Sequence, residues 1–461
     1  MSEFGQTKGT NDYFAGEADA RREMEQTFRE NFRNFGAQEV IPPAIESADL
    51  LNSKSSEELR EEGLFYTFTP KSFNVLNEAA EEGKSVEELN PQDFIDTGLR
   101  FDGTVGVSRV MAENKDVSKP AKWFYNIPVW RYEDTGEDRL REFWQSGIEY
   151  LGTEQLAHDA EAVALANQQL EDVGLEDAYF ELNNRKFISG VLDEYSIPQS
   201  QEQGALTILD KLDKKERSEL LDEAENDKGI DRGKFEDVLL FLNSDYGFSD
   251  LDILRQQFEG NQAAQEGIDE LEKLRSYLES YDAADSVEFS PTLARGLDYY
   301  TGIVFEGFHE DADSSIAGGG RYDDLISDIG GEATPGVGFA LGNDRIIDVL
   351  EENGEWDEDM PGARVYMIPV TDNQEDLEYA IEASTDIRQN GMETDIDFSG
   401  RSIGQAFSYV DNQDIPYAAV VGPDEREAET VTIRDMDSGE EYEIPSSQAG
   451  QKLGEVRDRV N

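Results

Sequence analysis

The heptapeptide Gly336–Gly342, GVGFALG, sets the tightest limit on how this chain can fold. Successive side chains along a strand point to opposite faces. Gly336, Gly338, Ala340 and Gly342 therefore line one side, and Val337, Phe339 and Leu341 the other. The apolar side belongs against a core. The bare side is costly, because glycine inside a strand loses backbone entropy and packing. A flat ligand lying on the glycine face is the expected gain, with close packing of a helix on the sheet as the alternative. The next residues, NDRIIDVL, read as a helix with Arg345 in its first turn, beside the positive end where a phosphate belongs.

The same alternation applies to two strand-like runs around a polar loop over 122–152. In PVWRYE, Val129, Arg131 and Glu133 share a face; in FWQSGIEY, Phe143, Gln145, Gly147 and Glu149 share one. Trp144, Ser146, Ile148 and Tyr150 point the other way. One side is bulky and apolar. The other carries an amide and a carboxylate flanking a glycine, although an ordinary half-wet hairpin would read the same. Residues 318–320 form a glycine run that lacks the Lys-Ser/Thr of a P-loop and the spacing of a dinucleotide fingerprint. Arg131, Arg139, Arg141, Arg295, Arg321 and Arg345 fall in or beside these segments. Arginine suits bidentate phosphate binding and stays charged. A surface ion pair explains any single one; a set of six beside glycine faces is harder to explain so.

That arginine set stands out because acidic residues outnumber basic ones 103 to 40, for a net charge of −63. The excess is not confined to a tail: EELREEG, AAEEGKSVEEL and DEREAE share it. Such a surface repels polyanions at low salt. An even spread fits a cytoplasm of molar salt, where the Debye length is about 3 Å, better than a cationic partner. The absence of cysteine excludes disulfides, thiolate metal sites and a cysteine nucleophile. No apolar run is long enough to span a bilayer, and MSEFGQTKGTNDYF has no basic-then-apolar signal pattern. A cytoplasmic protein of two to four domains is expected from 461 residues.

An amphipathic helix is expected over 16–36, with Met24, Phe28, Phe32 and Phe35 at helical spacing. FGAQEVIPPAIESADLL reads as a strand broken by Pro42 and Pro43, then a short helix. A second helix is expected over 104–114, entered from a strand ending near Thr104. Residues 173–281 are mostly helical and charged after a strand-like opening at 178–182, and strands return over 297–307. Beyond ENGEWDEDMPG, strands and helices alternate, as in a separate α/β domain of about 100 residues.

These pieces resemble histidyl-tRNA synthetases over nearly the whole chain. The strand, loop and strand from Trp130 to Gly152 are similar to motif 2 of class II aminoacyl-tRNA synthetases, FGAQEVIPPAIES to motif 1 with Pro43 as its proline, and GVGFALGNDR to motif 3 with Arg345 as its arginine. LARGLDYYTGIVFE and AGGGRYDDLI resemble the two histidine-specific signatures; LRFDGTVGVSR, KGTNDY and LNNRKF also resemble family segments, and GRSIGQAFSYVDNQDIPYAAVVG the anticodon-binding domain. The resemblance implies an α+β fold: a class II antiparallel sheet with flanking helices, a mostly helical insertion and a C-terminal α/β domain. The core would occupy 1–182 and 283–352, the insertion 183–282, a linker 353–362 and the anticodon-binding domain 363–461.

The resemblance also implies roles. Arg131 holds the ATP α-phosphate and the histidine carboxylate region, Arg345 lies on the γ-phosphate side, and Arg295 is the catalytic arginine that stabilises charge at the α-phosphate. Asp102, Thr104, Gln145, Glu149, Tyr299 and Tyr300 form the histidine pocket with Arg131 and Arg295, and Glu133, Arg139 and Phe143 join Arg131 and Arg345 at ATP. Arg139 and Arg141 belong to the motif 2 loop near the tRNA acceptor end. ATP arrives with Mg2+, and no dedicated protein metal site is expected. The implied partners are tRNA(His), L-histidine and ATP in a homodimer, with no membrane and no DNA. A non-catalytic paralogue, the regulatory subunit of ATP phosphoribosyltransferase, is the alternative; it generally lacks the last domain and tolerates losses in the histidine signature. His158 and His309 match no catalytic position. Were 293–306 a strand, Arg295 and Tyr299 would share a face and Tyr300 would not, unless the chain bends near Gly296.

Overall fold

Proline cannot donate to a sheet ladder, and Pro42 and Pro43 split the expected strand in two. The halves, β1 (Gln38–Glu39) and β2 (Ile45–Ser47), join different sheets. The computed structural model describes residues 5–55, 60, 63–85, 88–89, 94–132, 140–212, 215–244, 246–295, 299–356 and 362–460. Two units emerge: residues 1–12 with 24–356, and residues 13–23 with 357–461.

In the first unit β2 pairs with β4 (Thr97–Leu99), which also pairs with β3 (Tyr66–Thr67) in a small sheet. The large sheet has eight strands. They are β1, β5 (Ala121–Trp130), β6 (Glu142–Leu151), β7 (Tyr179–Asn184), β8 (Val287–Phe289), β9 (Ile303–Phe308), β10 (Ala317–Tyr322) and β11 (Gly336–Gly342). Their order is β1-β5-β6-β11-β10-β9-β7-β8. The middle is antiparallel, and each edge strand is added in parallel.

The first helix, α1 (Gly16–Asn34), carries Met24, Phe28 and Phe32 four residues apart, along one face. Phe32 stacks on Phe124 with centroids 5.1 Å apart and approaches Phe339 on the same side of the sheet. The apolar faces of β5, β6 and β11 thus close the main core, as alternation requires. Helix α2 (Gly103–Glu113) is capped by Asp102, so the strand expected to run to Thr104 ends instead at Leu99. Helix α3 (Ala157–Glu171) packs beside β11 and β10. From α4 (Arg185–Glu194) to α5 (Gln262–Ser280) the described residues form six α-helices and one short 3-10 helix. Their apolar residues belong to the same core as the sheet, and α5 packs on α4, α3 and β7. Helix α6 (Asn343–Asn353) follows β11 directly and ends at Gly354 in the left-handed region.

The second unit holds a five-stranded sheet: β12 (Val365–Pro369), β13 (Thr394–Ile396), β14 (Tyr417–Val421), β15 (Thr430–Asp435) and β16 (Glu441–Pro445). Its order is β13-β12-β14-β15-β16, parallel among the first three and antiparallel beyond. Helix α7 (Gln374–Gln389) covers Val365, Met367 and Ala419, and α8 (Ile403–Asn412) covers Tyr366, Ile368 and Ala418. This is the expected α/β alternation.

Candidate active site

The face of the large sheet opposite α1 carries the site. Cross-strand register puts Tyr125, Gly147, Ala340, Gly318 and Glu306 in one row over β5, β6, β11, β10 and β9. The glycines make room for the protein's own side chains. A Cβ at Gly338 would lie 1.9 Å from Oε2 of Glu149, and one at Gly336 would lie 2.4 Å from the Tyr322 ring. At Gly147 it would meet Tyr125 at 2.5 Å, and at Gly318 it would meet Nη1 of Arg295 at 1.8 Å. The expectation of one flat ligand over the whole glycine face is therefore corrected. Most of that face is already filled, and open floor remains at Gly342, where the nearest atoms stand 3.6 Å off, and at half-buried Ala340. The run 318–320, which lacks a phosphate-loop pattern, lies inside β10.

A buried pocket forms around Glu149. Thr104 Oγ1 donates to its Oε1 at 2.6 Å, Tyr125 OH reaches the same oxygen at 3.4 Å, and Tyr322 OH donates to Oε2. Burial pushes Glu149 up to about 8, against the pull of the Thr104 and Tyr322 hydrogen bonds. Asp102 caps α2 through the Thr104 amide, and Tyr299 OH donates to its Oδ2 at 3.3 Å. Gln145 Oε1 accepts from the Gly103 amide at 3.2 Å. Tyr299 and Tyr300 stand with ring centroids 4.8 Å apart, both buried. Burial raises both phenols, Tyr300 to about 12, so both remain neutral donors. The predicted Asp102, Thr104, Gln145, Glu149, Tyr299 and Tyr300 thus come together. Tyr125 and Tyr322 were not foreseen. The signal for them was the facing glycines, Gly147 and Gly336.

Arg295 does not continue a strand. Regular pairing starts at Ile303, and Arg295 sits in the left-handed region at φ +48°. With the two-residue alternation gone, both tyrosines can face one pocket; Gly296, the expected bend, lies outside the described residues. The LNNRKF signature holds this segment in place. Asn183 Nδ2 donates to Pro291 O and Leu293 O at 2.9 and 3.0 Å, and Arg185 Nη1 donates to Ala294 O at 2.9 Å. The Arg295 guanidinium lies over Gly318, 3.4 Å from Glu306 and 5.5 Å from the Tyr300 ring centroid.

Arg131 extends β5 toward the site, donating Nε–H to Phe101 O at 3.2 Å and lying 5.3 Å from the centre of Phe143. Arg345 occupies the first turn of α6 and donates to Ser315 O at 2.7 Å. Asp344, beside it, accepts from the Trp144 amide at 2.7 Å. Arg141 stacks on Tyr132 at 3.9 Å, and its amide donates to Gly9 O, which brings KGTNDY to the hairpin. Glu133 and Arg139 lie outside the described residues. Arg321 is a structural arginine: its guanidinium pairs with fully buried Asp159 on α3 and donates to Thr153 O at 3.0 Å. His158 contacts Thr153, and His309 accepts from the Asp311 amide in a turn. Among the described residues no group of three or more His, Asp or Glu is placed to hold a metal ion.

The arrangement is two-ended. Carboxylates and hydroxyls converge at Glu149 and Asp102, while Arg131, Arg295 and Arg345 stand around the open floor. With an antiparallel sheet carrying such a site and a second α/β unit, the fold is that of a class II aminoacyl-tRNA synthetase. The family described as "Histidyl-tRNA synthetase" matches residues 74–346, and "Anticodon binding domain" matches 364–455. A histidine–tRNA ligase of Thermococcus kodakarensis is 33% identical over 98% of this chain and 99% of its own. One from Pyrococcus horikoshii is 32% identical over 98% and 97%. The crystal structure of histidyl-tRNA synthetase from Nostoc sp. PCC 7120 superimposes with a TM-score of 0.79 at 24% identity, covering all of both chains. The chain belongs to the histidyl-tRNA synthetase family.

Proposed function

We infer that this chain joins L-histidine to ATP as histidyl-adenylate and then transfers the histidyl group to the 3′ end of tRNA(His). The observation that carries this reading is one pocket uniting Asp102, Thr104, Glu149, Tyr299 and Tyr300 within reach of a shelf bearing Arg295. Histidine brings an ammonium group, two ring nitrogens and a carboxylate. Carboxylates and hydroxyls suit the first two, and the arginines suit the third.

In the first step a histidine carboxylate oxygen attacks the α-phosphorus. The bond to the bridging oxygen breaks, and pyrophosphate leaves with its electron pair. Negative charge crowds at the α-phosphate, where the guanidiniums of Arg295 and Arg131 offset it most in the transition state. Arg345 serves the far phosphates at the positive end of α6. Glu133, Phe143 and Arg139 complete the nucleotide contacts, and Mg2+ enters bound to ATP. In the second step a ribose hydroxyl of the terminal adenosine attacks the acyl carbon and AMP leaves. The second unit reads the anticodon. The non-catalytic alternative is disfavoured by the intact Arg295, Tyr299 and Tyr300 and by the presence of the last domain.

A homodimer formed through the segment around Pro43, a cytoplasmic location and adaptation to molar salt complete the proposal. No helix among the described residues is long and apolar enough to cross a membrane, and the net charge of −63 supports the salt reading. The test is pyrophosphate exchange into ATP with a panel of amino acids at molar KCl. Exchange with histidine alone is expected. Histidine binding without exchange would turn the assignment to the paralogue.

A further inference from the structure

Arg295 approaches the shelf from a loop, and something must fix its guanidinium laterally. We propose that Glu306 is a positioning residue for Arg295: from β9 it anchors the guanidinium over Gly318 and presents the remaining edge to the reacting phosphate. The inference rests on the activation reading above.

The geometry is as follows. Glu306 pairs directly with Gly318 across β9 and β10, and Gly318 pairs with Ala340 on the inner side. Arg295 Nε lies 3.4 Å from Glu306 Oε1, and Nη1 donates to Phe305 O at 3.3 Å. Both restraints come from β9, the outer side of the shelf. Nη2 makes no hydrogen bond among the described residues, and Gly318 supplies the space that the guanidinium occupies. The Tyr300 ring bounds the group at 5.5 Å. A second observation points to Glu306 itself. Glu288, Glu181 and Glu306 stand directly opposite one another across β8, β7 and β9. Like charges in that register destabilise a sheet; a guanidinium at the inner end of the row offsets the repulsion. The side chains of Arg295 and Glu306 are only 16% and 21% exposed, so solvent screens the pair weakly.

The experiment is a double-mutant cycle read by histidine-dependent pyrophosphate exchange on the full chain at high KCl, with folding followed by circular dichroism. Glu306→Gln should lower kcat on the order of tenfold or more, the scale of a misplaced catalytic group. The KM for histidine should change far less than kcat, about twofold, since the side chains around Glu149 and Asp102 are untouched. Glu306→Asp should fall between. In an Arg295→Ala background Glu306→Gln should cost nothing further, because its effect passes through that side chain. An equal loss in both backgrounds, or a raised KM at unchanged kcat, overturns the proposal. If Glu306→Gln does not fold, Glu306→Asp is read in the same cycle by the same criterion. Wild-type enzyme without exchange would overturn the activation reading instead.

Discussion

At the residue scale, Glu149 is a carboxylate taken out of water. It is fully buried and held by Thr104, Tyr125 and Tyr322. Burial lifts it from 4.5 to about 8. In the native state it therefore keeps a proton over a range where the unfolded chain has lost it. The stability linked to that proton is full below pH 4.5 and drains away as pH climbs toward 8, on the order of a few kcal/mol. Denaturant unfolding of the unliganded enzyme at several pH values should show this decline, and Glu149→Gln should flatten it. A wild-type curve no steeper than that of the variant would mean the carboxylate is ionised in the fold. Gly338→Ala sets the new methyl against Glu149 Oε2 and against Ile148 O, 2.4 Å from the added Cβ. Backbone cannot yield cheaply, so a loss of at least about 2 kcal/mol is expected, the range for overpacked cores, and a calorimetric melting point checks it. Alternation alone located Gln145 and Glu149. It could not locate Tyr125 and Tyr322, because their partners are set by register between strands far apart in sequence.

At the element scale, the start of the strand expected over 297–307 shows where reading from pattern stops. Pairing waits until Ile303, and Arg295, before it, takes a left-handed conformation. Long-range hydrogen bonds decide the matter: Asn183 and Arg185 satisfy the carbonyls of Pro291, Leu293 and Ala294. A buried carbonyl so partnered has no need of a sheet ladder. Asn183→Ala strips two carbonyls of their donor, at about 1–3 kcal/mol each, and frees the loop that carries Arg295. Pyrophosphate exchange should then lose kcat by about tenfold or more with histidine affinity nearly kept. If affinity falls in step with kcat, the clamp serves the pocket instead. By contrast α1, β5, β6 and β11 were legible almost to their ends. Each has one face against a common core, and periodicity records that directly.

At the scale of the whole molecule, charge governs behaviour. A net −63 on one chain repels itself wherever the Debye length exceeds the charge spacing, about 10 Å at 0.1 M salt and 3 Å at 1 M. Thermal stability should rise steeply between dilute buffer and molar KCl, by many degrees in Tm, and activity should follow it. A Tm indifferent to KCl would remove the salt reading. Composition carries that expectation without any structure, and the change of pattern beyond ENGEWDEDMPG already marks the last domain; the grouping of residues 13–23 with it needed contacts. The same charge sharpens the role of the arginines. In so acidic a chain, Arg131, Arg295 and Arg345 are the cationic side chains at the place where triphosphate chemistry is proposed.

The glycine shelf has one further consequence, genetic rather than chemical. Every single-nucleotide change in a glycine codon that replaces glycine by another amino acid adds at least a Cβ. At Gly147, Gly319, Gly336 and Gly338 that atom would fall within 2.6 Å of a neighbour already in place. These codons have no neutral one-step neighbours other than silent ones, so a saturating mutational scan selected for growth should return them as silent-only positions, and the lineage that carries this sheet has little freedom to drift there.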